Sequence, residues 1–288
     1  MIAQLKKEGF PLNVICDTLE INRSGYYAYE AKKECSRAQE DKQLMALIQT
    51  TFWNHKRRYG TRRITSELKD MGRFCGRKRV SRLMKKMGLK AIQPKSFVPK
   101  TTDSNHNLGY APNLLLGWGE PTAINQIWVG DISYIPLKTR NFIFLSMLID
   151  LYSRRIVGWT LSESMKEELV IATLRNAICN RQPLPGLILH SDRGGQYAGK
   201  EYRSILRRAR MKQSMSRADN CYDNAFMESC FSTIKRELEM ISFESIATAR
   251  KELRTYFLYY NTKRKHSSLN YLTPEKFELV YFSSSSTV

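Results

Sequence analysis

The pattern of apolar and polar residues divides the chain into a helical first part and a second part that begins with strands. In the first part, three segments repeat apolar residues three or four positions apart: Leu44, Leu47, Ile48 and Phe52; Ile64, Leu68 and Met71; and Val80, Leu83, Met84 and Met87. This spacing is typical of helices with one buried face, and Gly88 is suited to end the last of them. The pattern predicts a three-helix domain at residues 37–92. A weaker pattern predicts an N-terminal helical segment, residues 1–36, with a helix from Pro11 and a turn at residues 22–25.

The pattern changes at residue 125 to short runs rich in Ile, Val, Phe and Trp. Three such runs, each bounded by turn residues, predict strands at residues 126–136, 141–150 and 154–162. Helical and strand patterns then alternate: helix 164–180, strand 187–190, helix 200–210, strand 212–216 and helix 222–239. This order predicts an α/β fold with a mixed sheet flanked by helices. We assign it to residues 125–240, after a proline-containing linker at 93–124 and before a C-terminal helical extension and tail at 241–288.

A strong positive charge adds an anionic partner to this picture. The chain has 47 Lys and Arg against 27 Asp and Glu, a formal net charge of +20, and nucleic acid is the usual partner of such an excess. The excess is densest at residues 52–90, where only two residues are acidic. The last predicted helix there sets basic residues against an apolar stripe, as a helix-turn-helix recognition helix does, whereas an ordinary solvated face mixes both signs. The candidate DNA contacts in this domain are Arg62, Arg63, Arg77, Lys78, Arg79 and Arg82.

Several other classes of protein are disfavoured by the composition. No apolar run approaches the roughly 18 residues of a membrane span, and the first residues lack the apolar core of a secretory signal. The six cysteines and four histidines follow no regular spacing, which argues against zinc sites and a disulfide framework. We therefore expect a cytoplasmic protein with no membrane partner.

Three acidic residues occupy positions where carboxylates are unusual or can converge. Asp131 interrupts an apolar strand, Asp192 follows the strand at 187–190, and Glu228 lies on the helix at 222–239. An aspartate before glycine is more often a turn former, so Asp192 is notable only together with the others. Three converging carboxylates repel one another unless a cation neutralises them, and Mg²⁺ or Mn²⁺ prefers such oxygen ligands. Asp150, at the end of the second strand, is a rival candidate.

Several motifs in this order resemble a known family. They are "WVGDISYI", "HSDRGGQY", "SMSRADNCYDNAFMESCFSTIKREL" and "YNTKRKHSSLNYLTPEKF". Asp192 and Glu228 are separated by 35 residues, and Lys235 follows Glu228 by seven. This arrangement resembles the DDE transposases of the IS3 family of bacterial insertion sequences, the product of the downstream reading frame, OrfB. The segments "RYGTRRITSELKDMG" and "RKRVSRLMKKMGL" resemble the accessory helix-turn-helix of that family.

The resemblance implies an RNase H-like catalytic core similar to that of retroviral integrases, and a polynucleotidyl transferase activity. The expected enzyme binds the terminal inverted repeats of its element and catalyses Mg²⁺-dependent cleavage and strand transfer into target DNA. Asp131, Asp192 and Glu228 would hold two Mg²⁺ ions, for which Mn²⁺ substitutes, and Lys235 would contact the terminal DNA. The expected partners are double-stranded DNA, further copies of the chain assembled on that DNA, and the upstream-frame product, at the bacterial nucleoid.

Two alternatives of a different class remain open at this stage. The chain could be a DNA-binding repressor of transposition with an inactive core, or an RNase H-like nuclease that hydrolyses DNA without joining it. The complete set of three carboxylates and one lysine disfavours the repressor. Incubation with labelled DNA would separate the three possibilities by their products.

Overall fold

In a computed structural model of the protein, the described residues are 1–30, 36–93, 109–139, 141–217, 225–239 and 242–285. The chain forms two compact units, Met1–Ala91 and Ile92–Val288. Of the predicted linker, residues 94–108 lie outside the described part, and so do residues 222–224, where the predicted helix 222–239 begins. Among the described helices, none combines the length and the apolar composition needed to cross a membrane.

The first unit consists of helices. They are α1 (Ile2–Lys7), α2 (Leu12–Thr18), α3 (Arg23–Glu30), α4 (Ser36–Asn54), α5 (Thr61–Asp70) and α6 (Arg77–Lys86). Helices α4, α5 and α6 bury a shared core that includes Ile48, Ile64 and Leu83, so the predicted three-helix arrangement is confirmed.

Two details of this unit differ from the prediction. Met71 is 51% exposed, because α5 ends at Asp70 and the helical repeat stops there. The turn expected at residues 22–25 is the start of α3 instead. The Asn22 side chain accepts a hydrogen bond from the backbone N–H of Ser24 at 3.2 Å, which is how an asparagine caps a helix.

The second unit contains a five-stranded mixed sheet. Its strands are β1 (Ile127–Pro136), β2 (Phe142–Asp150), β3 (Ile156–Ser162), β4 (Ile188–Ser191) and β5 (Lys212–Met215). The order across the sheet is β3-β2-β1-β4-β5. The first three strands pair antiparallel, and β4 pairs parallel with β1 on one side and β5 on the other. The predicted mixed α/β sheet is confirmed, and β1 is its central strand.

Helices cover both faces of the sheet. One face is covered by α7 (Glu167–Arg181), a short α8 (Gly195–Ala198) and α9 (Lys200–Arg208), and the other by α10 (Ala225–Glu237) and α11 (Ile246–Thr262). Gly158 of β3 allows α7 to approach closely, since a Cβ atom there would lie 2.7 Å from the Thr173 carbonyl oxygen. The chain ends in a 3₁₀ turn (Ser267–Leu269) and α12 (Pro274–Ser285).

The helices after residue 241 are integral to this unit. Leu253, Tyr256 and Phe257 of α11 are buried in the same core as the inner side chains of β1 and β2. Helix α12 is attached through Glu278, which is 4% exposed. Its carboxylate accepts hydrogen bonds from both Arg181 Nη atoms at 2.8 and 2.9 Å and from Arg155 at 3.0 Å. The face that carries α10 is therefore completed by α11, and α12 is joined to the end of α7 and to the turn after β2.

Candidate active site

The pairing of β1 with β4 places Asp131 and Asp192 side by side. The parallel register aligns Trp128 with Leu189 and Val129 with His190. Extended by two residues, this register would set Asp131 level with Asp192, which directly follows the end of β4 at Ser191. Residues level with each other in parallel strands lie on the same face of a sheet, and residues two apart share that face. Val129 belongs to the core on the α10 side. Asp131 therefore lies on the face that α10 covers, and Asp192 follows the end of the neighbouring strand β4.

The electrostatics of Asp131 agrees with this placement. Burial and the negative charge of Asp192 raise the pKa of Asp131 to about 8, and Glu228 contributes a smaller increase. The backbone N–H of Ile132, which donates to Asp131 Oδ1 at 2.8 Å, and the amine of Lys235 oppose this increase. Asp131 is thus mostly protonated at neutral pH unless a cation joins the pair.

The loop after β4 is held in place by its own polar groups. The backbone N–H of Gly194 donates to Asp192 Oδ1 at 3.1 Å. Arg193 Nε donates to the Ser216 carbonyl oxygen at 2.8 Å, and its guanidinium lies 4.6 Å from the centre of the Tyr110 ring. Arg193 therefore supports the loop, and the Asp192 carboxylate has a preferred orientation.

His190 also supports this loop. The side chain is fully buried. Its Nδ1 lies 2.8 Å from the Ser214 hydroxyl and its Nε2 lies 3.3 Å from the Ser216 hydroxyl. Because both ring nitrogens are engaged inside the protein, His190 has no access to a phosphate.

Helix α10 brings Glu228 and Lys235 to the same side of the sheet. Glu228 lies in the first turn and is exposed, whereas Lys235, two turns later, is half-buried. Burial lowers the pKa of the Lys235 amine, and the charge of Asp131 opposes this effect. Within the described residues, no three His, Cys, Asp or Glu side chains stand close enough together to hold a metal ion. Both Asp192 and Glu228 raise the pKa of Asp131, and Asp192 has the larger effect.

A buried ion pair fixes the far end of α10, and the sequence patterns did not reveal it. Glu237 accepts hydrogen bonds from Arg264 Nε and Nη2 at 2.8–3.0 Å and from the Tyr256 hydroxyl at 3.1 Å. Arg264 Nη1 also lies 3.0 Å from His266 Nε2. The charged motif "YNTKRKHSSL" thus anchors the helix that carries Glu228 and Lys235.

Asp150, the rival carboxylate, has a structural role. It is fully buried, and its oxygens accept backbone N–H bonds from Asn125 at 2.6 Å and Ser153 at 2.8 Å. The Ser153 hydroxyl continues this network to Glu278 at 2.8 Å. These contacts fix the turn after β2 and leave Asp150 away from the Asp131–Asp192 pair.

The candidate DNA contacts of the three-helix arrangement divide into three groups. Arg79 donates to Asp41 at 2.8 Å and to Glu40 at 3.0 Å, and Arg82 donates to Asp41 at 2.5 Å; these bonds hold the pKa of Asp41 below its ordinary value. Both arginines therefore tie α6 to α4. Arg63 is half-buried, with its guanidinium 5.4 Å from the centre of the Tyr59 ring. The remaining candidates, Arg62, Arg77 and Lys78, are exposed.

Comparison with protein families matches both units. A model described as an HTH-like domain matches residues 39–97. Two models described as integrase core domains match residues 121–221 and 209–274. The second of these extends through α11, in agreement with the packing of that helix in the core.

Similar proteins include transposases that match nearly the full chain. The 31 kDa protein of insertion element IS600 from Shigella sonnei is 39% identical over 269 residues, 93% of this chain and 98% of that protein. The transposase of IS904 from Lactococcus lactis is 41% identical over 246 residues, 84% and 96% of the two chains. Transposase InsF of IS3A from Escherichia coli is 34% identical over 275 residues, 93% and 94%. Among solved structures, the catalytic core of BIV integrase is 16% identical, with a TM-score of 0.44 over 57% of this chain and 97% of the other.

Proposed function

We propose that this chain, which belongs to the IS3 family of insertion-sequence transposases, cuts the DNA ends of its element and joins them to a second DNA strand with the carboxylates of Asp131, Asp192 and Glu228. The observation that supports this most directly is the Asp131–Asp192 pair on the central strands of the sheet. A repressor has no need for a half-buried pair of repelling carboxylates, which disfavours that alternative.

The donor set of this pair fits a divalent metal ion. A carboxylate whose pKa is raised to about 8 by burial and by a neighbouring carboxylate gains most from a cation that takes both as ligands. Two Mg²⁺ ions, replaceable by Mn²⁺, would be held by Asp131 and Asp192, with Glu228 completing the set. When bound, such ions lower the pKa of an attacking water and stabilise the charge on a leaving 3′ oxygen.

The residues of the chain supply positioning and charge to this reaction. Asp131 gives up its proton when the site is loaded, and Gly194 keeps the Asp192 carboxylate oriented by its N–H bond. Lys235, half-buried on the Asp131 side of α10, holds a phosphate of the terminal DNA. Hydrolysis of one phosphodiester leaves a 3′ hydroxyl. That hydroxyl then attacks a second phosphodiester in the same site, forming one P–O bond as another breaks.

Recognition of DNA is assigned to the helix-turn-helix arrangement. The proposed ligands are the terminal inverted repeats and target DNA, and the exposed residues Arg62, Arg77 and Lys78 are the best placed of the candidates to contact phosphates or bases. Arg79 and Arg82 contribute indirectly, by holding α6 on α4. The active form is proposed to be an oligomer on DNA, with the upstream-frame product as a further partner.

The test is incubation of the full chain with a labelled duplex of the element end and Mn²⁺. Wild-type protein should give both cleaved and joined strands, and Asp192→Asn should give neither while binding the duplex as tightly. Glu163→Gln, which removes an exposed carboxylate of the same unit, serves as the control and should retain both products. Cleavage by Asp192→Asn would refute the assignment, and cleavage without joining by wild type would favour a hydrolytic nuclease.

A further inference from the structure

A basic pocket lies on the face of the sheet opposite α10. It is a pocket of about 280 Å³ formed by α9, the start of β5 and residues 110–111. The described residues that line it include two arginines and none that is acidic: Tyr110, Ala111, Arg203, Leu206, Arg207, Met211 and Gln213. Residues 200–212 contain six basic residues and one acidic residue, Glu201. That glutamate is engaged by Arg175 at 2.9 Å.

The hydrogen bonding of Arg203 is incomplete. Its Nη2 donates to the Gly109 carbonyl oxygen. Its Nε is buried and finds no acceptor in the described part of the chain. Buried donors in folded proteins are almost always paired, so the Arg203 Nε calls for an acceptor beyond those that the described residues supply. Arg207, one helical turn later, is exposed on the same side of α9.

The pocket is adjacent to the loop that carries Asp192. Tyr110 lines the pocket and also packs against the guanidinium of Arg193, the residue after Asp192. Gln213 lines the pocket and donates to the Tyr197 carbonyl oxygen on α8 at 2.6 Å. The Tyr110–Arg193 contact therefore connects the lining of the pocket to the residue that follows Asp192.

We infer that this pocket binds a backbone phosphate of the DNA held at the active site, with Arg203 and Arg207 as the contacts. The inference rests on the proposed function for its substrate, and it adds a contact outside both the helix-turn-helix and the catalytic carboxylates. A guanidinium presents paired donors that match phosphate oxygens. The pocket is too small for a folded partner and large enough for one phosphate with its sugar.

The experiment measures how salt weakens DNA binding by the full chain. Each phosphate contact releases condensed counterions, so the slope of log K against log[salt] changes by about 0.9 per contact. Fluorescence anisotropy with a labelled duplex of arbitrary sequence, in KCl from about 50 to 300 mM, gives this slope. Arg207→Gln should make the slope shallower by about 0.9, and the double variant with Arg203→Gln by about 1.8. Both should also lose strand joining.

Arg208→Gln is the matched control. Arg208 lies on the same helix, is exposed, and does not line the pocket, so its loss should leave the slope unchanged. Circular dichroism of each variant checks that it is folded. A wild-type slope for Arg207→Gln, or an equal change for Arg208→Gln, would overturn the inference. The salt slopes are independent of the proposed function, which is refuted separately by cleavage with Asp192→Asn or by cleavage without joining in the wild type.

Discussion

Replacement of Asp131 by asparagine should remove catalysis and at the same time stabilise the fold. The unfolded chain loses the Asp131 proton near the ordinary pKa of 3.8, whereas the folded protein keeps it up to about pH 8. Between these values the folded state binds more protons than the unfolded state, so stability falls as the pH rises. Asparagine is neutral at every pH in this range, so the variant does not lose stability in this way as the pH rises.

The size of the effect follows from the pKa. The difference between about 8 and 3.8, at about 1.4 kcal/mol per pKa unit, sets an upper limit of about 6 kcal/mol above pH 8. Asp131 is half-buried, so water screens part of this energy, and we expect about 2 kcal/mol. For a unit of this length, that corresponds to a Tm increase of about 4–8 °C.

The assay is thermal and urea denaturation of wild type and Asp131→Asn in EDTA, from pH 5 to pH 9. The stabilisation by Asp131→Asn should grow across this range and level off above pH 8. Mn²⁺ should raise the Tm of wild type by binding the folded state, and should do so much less for the variant. Glu163→Gln, at an exposed position, should show neither effect.

Two results would refute this reasoning. If Asp131→Asn destabilises the protein at every pH, the carboxylate makes favourable contacts that outweigh its repulsion by Asp192. If the stabilisation is the same at pH 5 and pH 9, Asp131 does not titrate in that range, and the cause assigned to its raised pKa is wrong.

Two further predictions concern packing around the sheet. Arg264→Ala should lower the free energy of unfolding in urea by about 3–5 kcal/mol, since it leaves Glu237 as an unpaired buried charge. The double variant with Glu237→Gln should recover part of this stability. A loss below about 1 kcal/mol for Arg264→Ala would contradict the role of the pair. Gly158→Ala should cost about 1–3 kcal/mol, because the new Cβ atom would lie 2.8 Å from the Cβ of Ala177, and an unchanged Tm would show that α7 can move away.

The strands were predictable because their apolar runs are short and bounded by turn residues. The structure places β1, β2 and β3 within one or two residues of the predicted limits. The juxtaposition of Asp131 with Asp192 depends on pairing β1 directly with β4, and no local pattern encodes which strands become neighbours. The positions of the acidic residues and the family resemblance supplied the candidates, whereas the proximity of Asp131 to the end of β4 follows from the strand pairing.

Local sequence patterns could not predict which charged side chains pair with each other. Arg79 and Arg82 fit the basic face of a recognition helix, yet Asp41, some forty residues earlier, engages both. Likewise, Glu237 and Arg264 look like ordinary surface charges until the fold buries them together. The pairing of distant charges is decided by tertiary packing, and spacing along one helix does not report it.

The attachment of α12 makes the segment around Glu278 necessary to the unit that holds the proposed catalytic carboxylates. A premature stop before codon 278 would remove the Glu278 carboxylate, which accepts hydrogen bonds from both Arg155 and Arg181. The two half-buried guanidinium groups would then lose this partner. The truncated protein would retain Asp131, Asp192 and Glu228 but would lack the ion pairs that attach α12. Copies of the element whose reading frame stops before codon 278 should therefore lose transposase activity although they still encode Glu228.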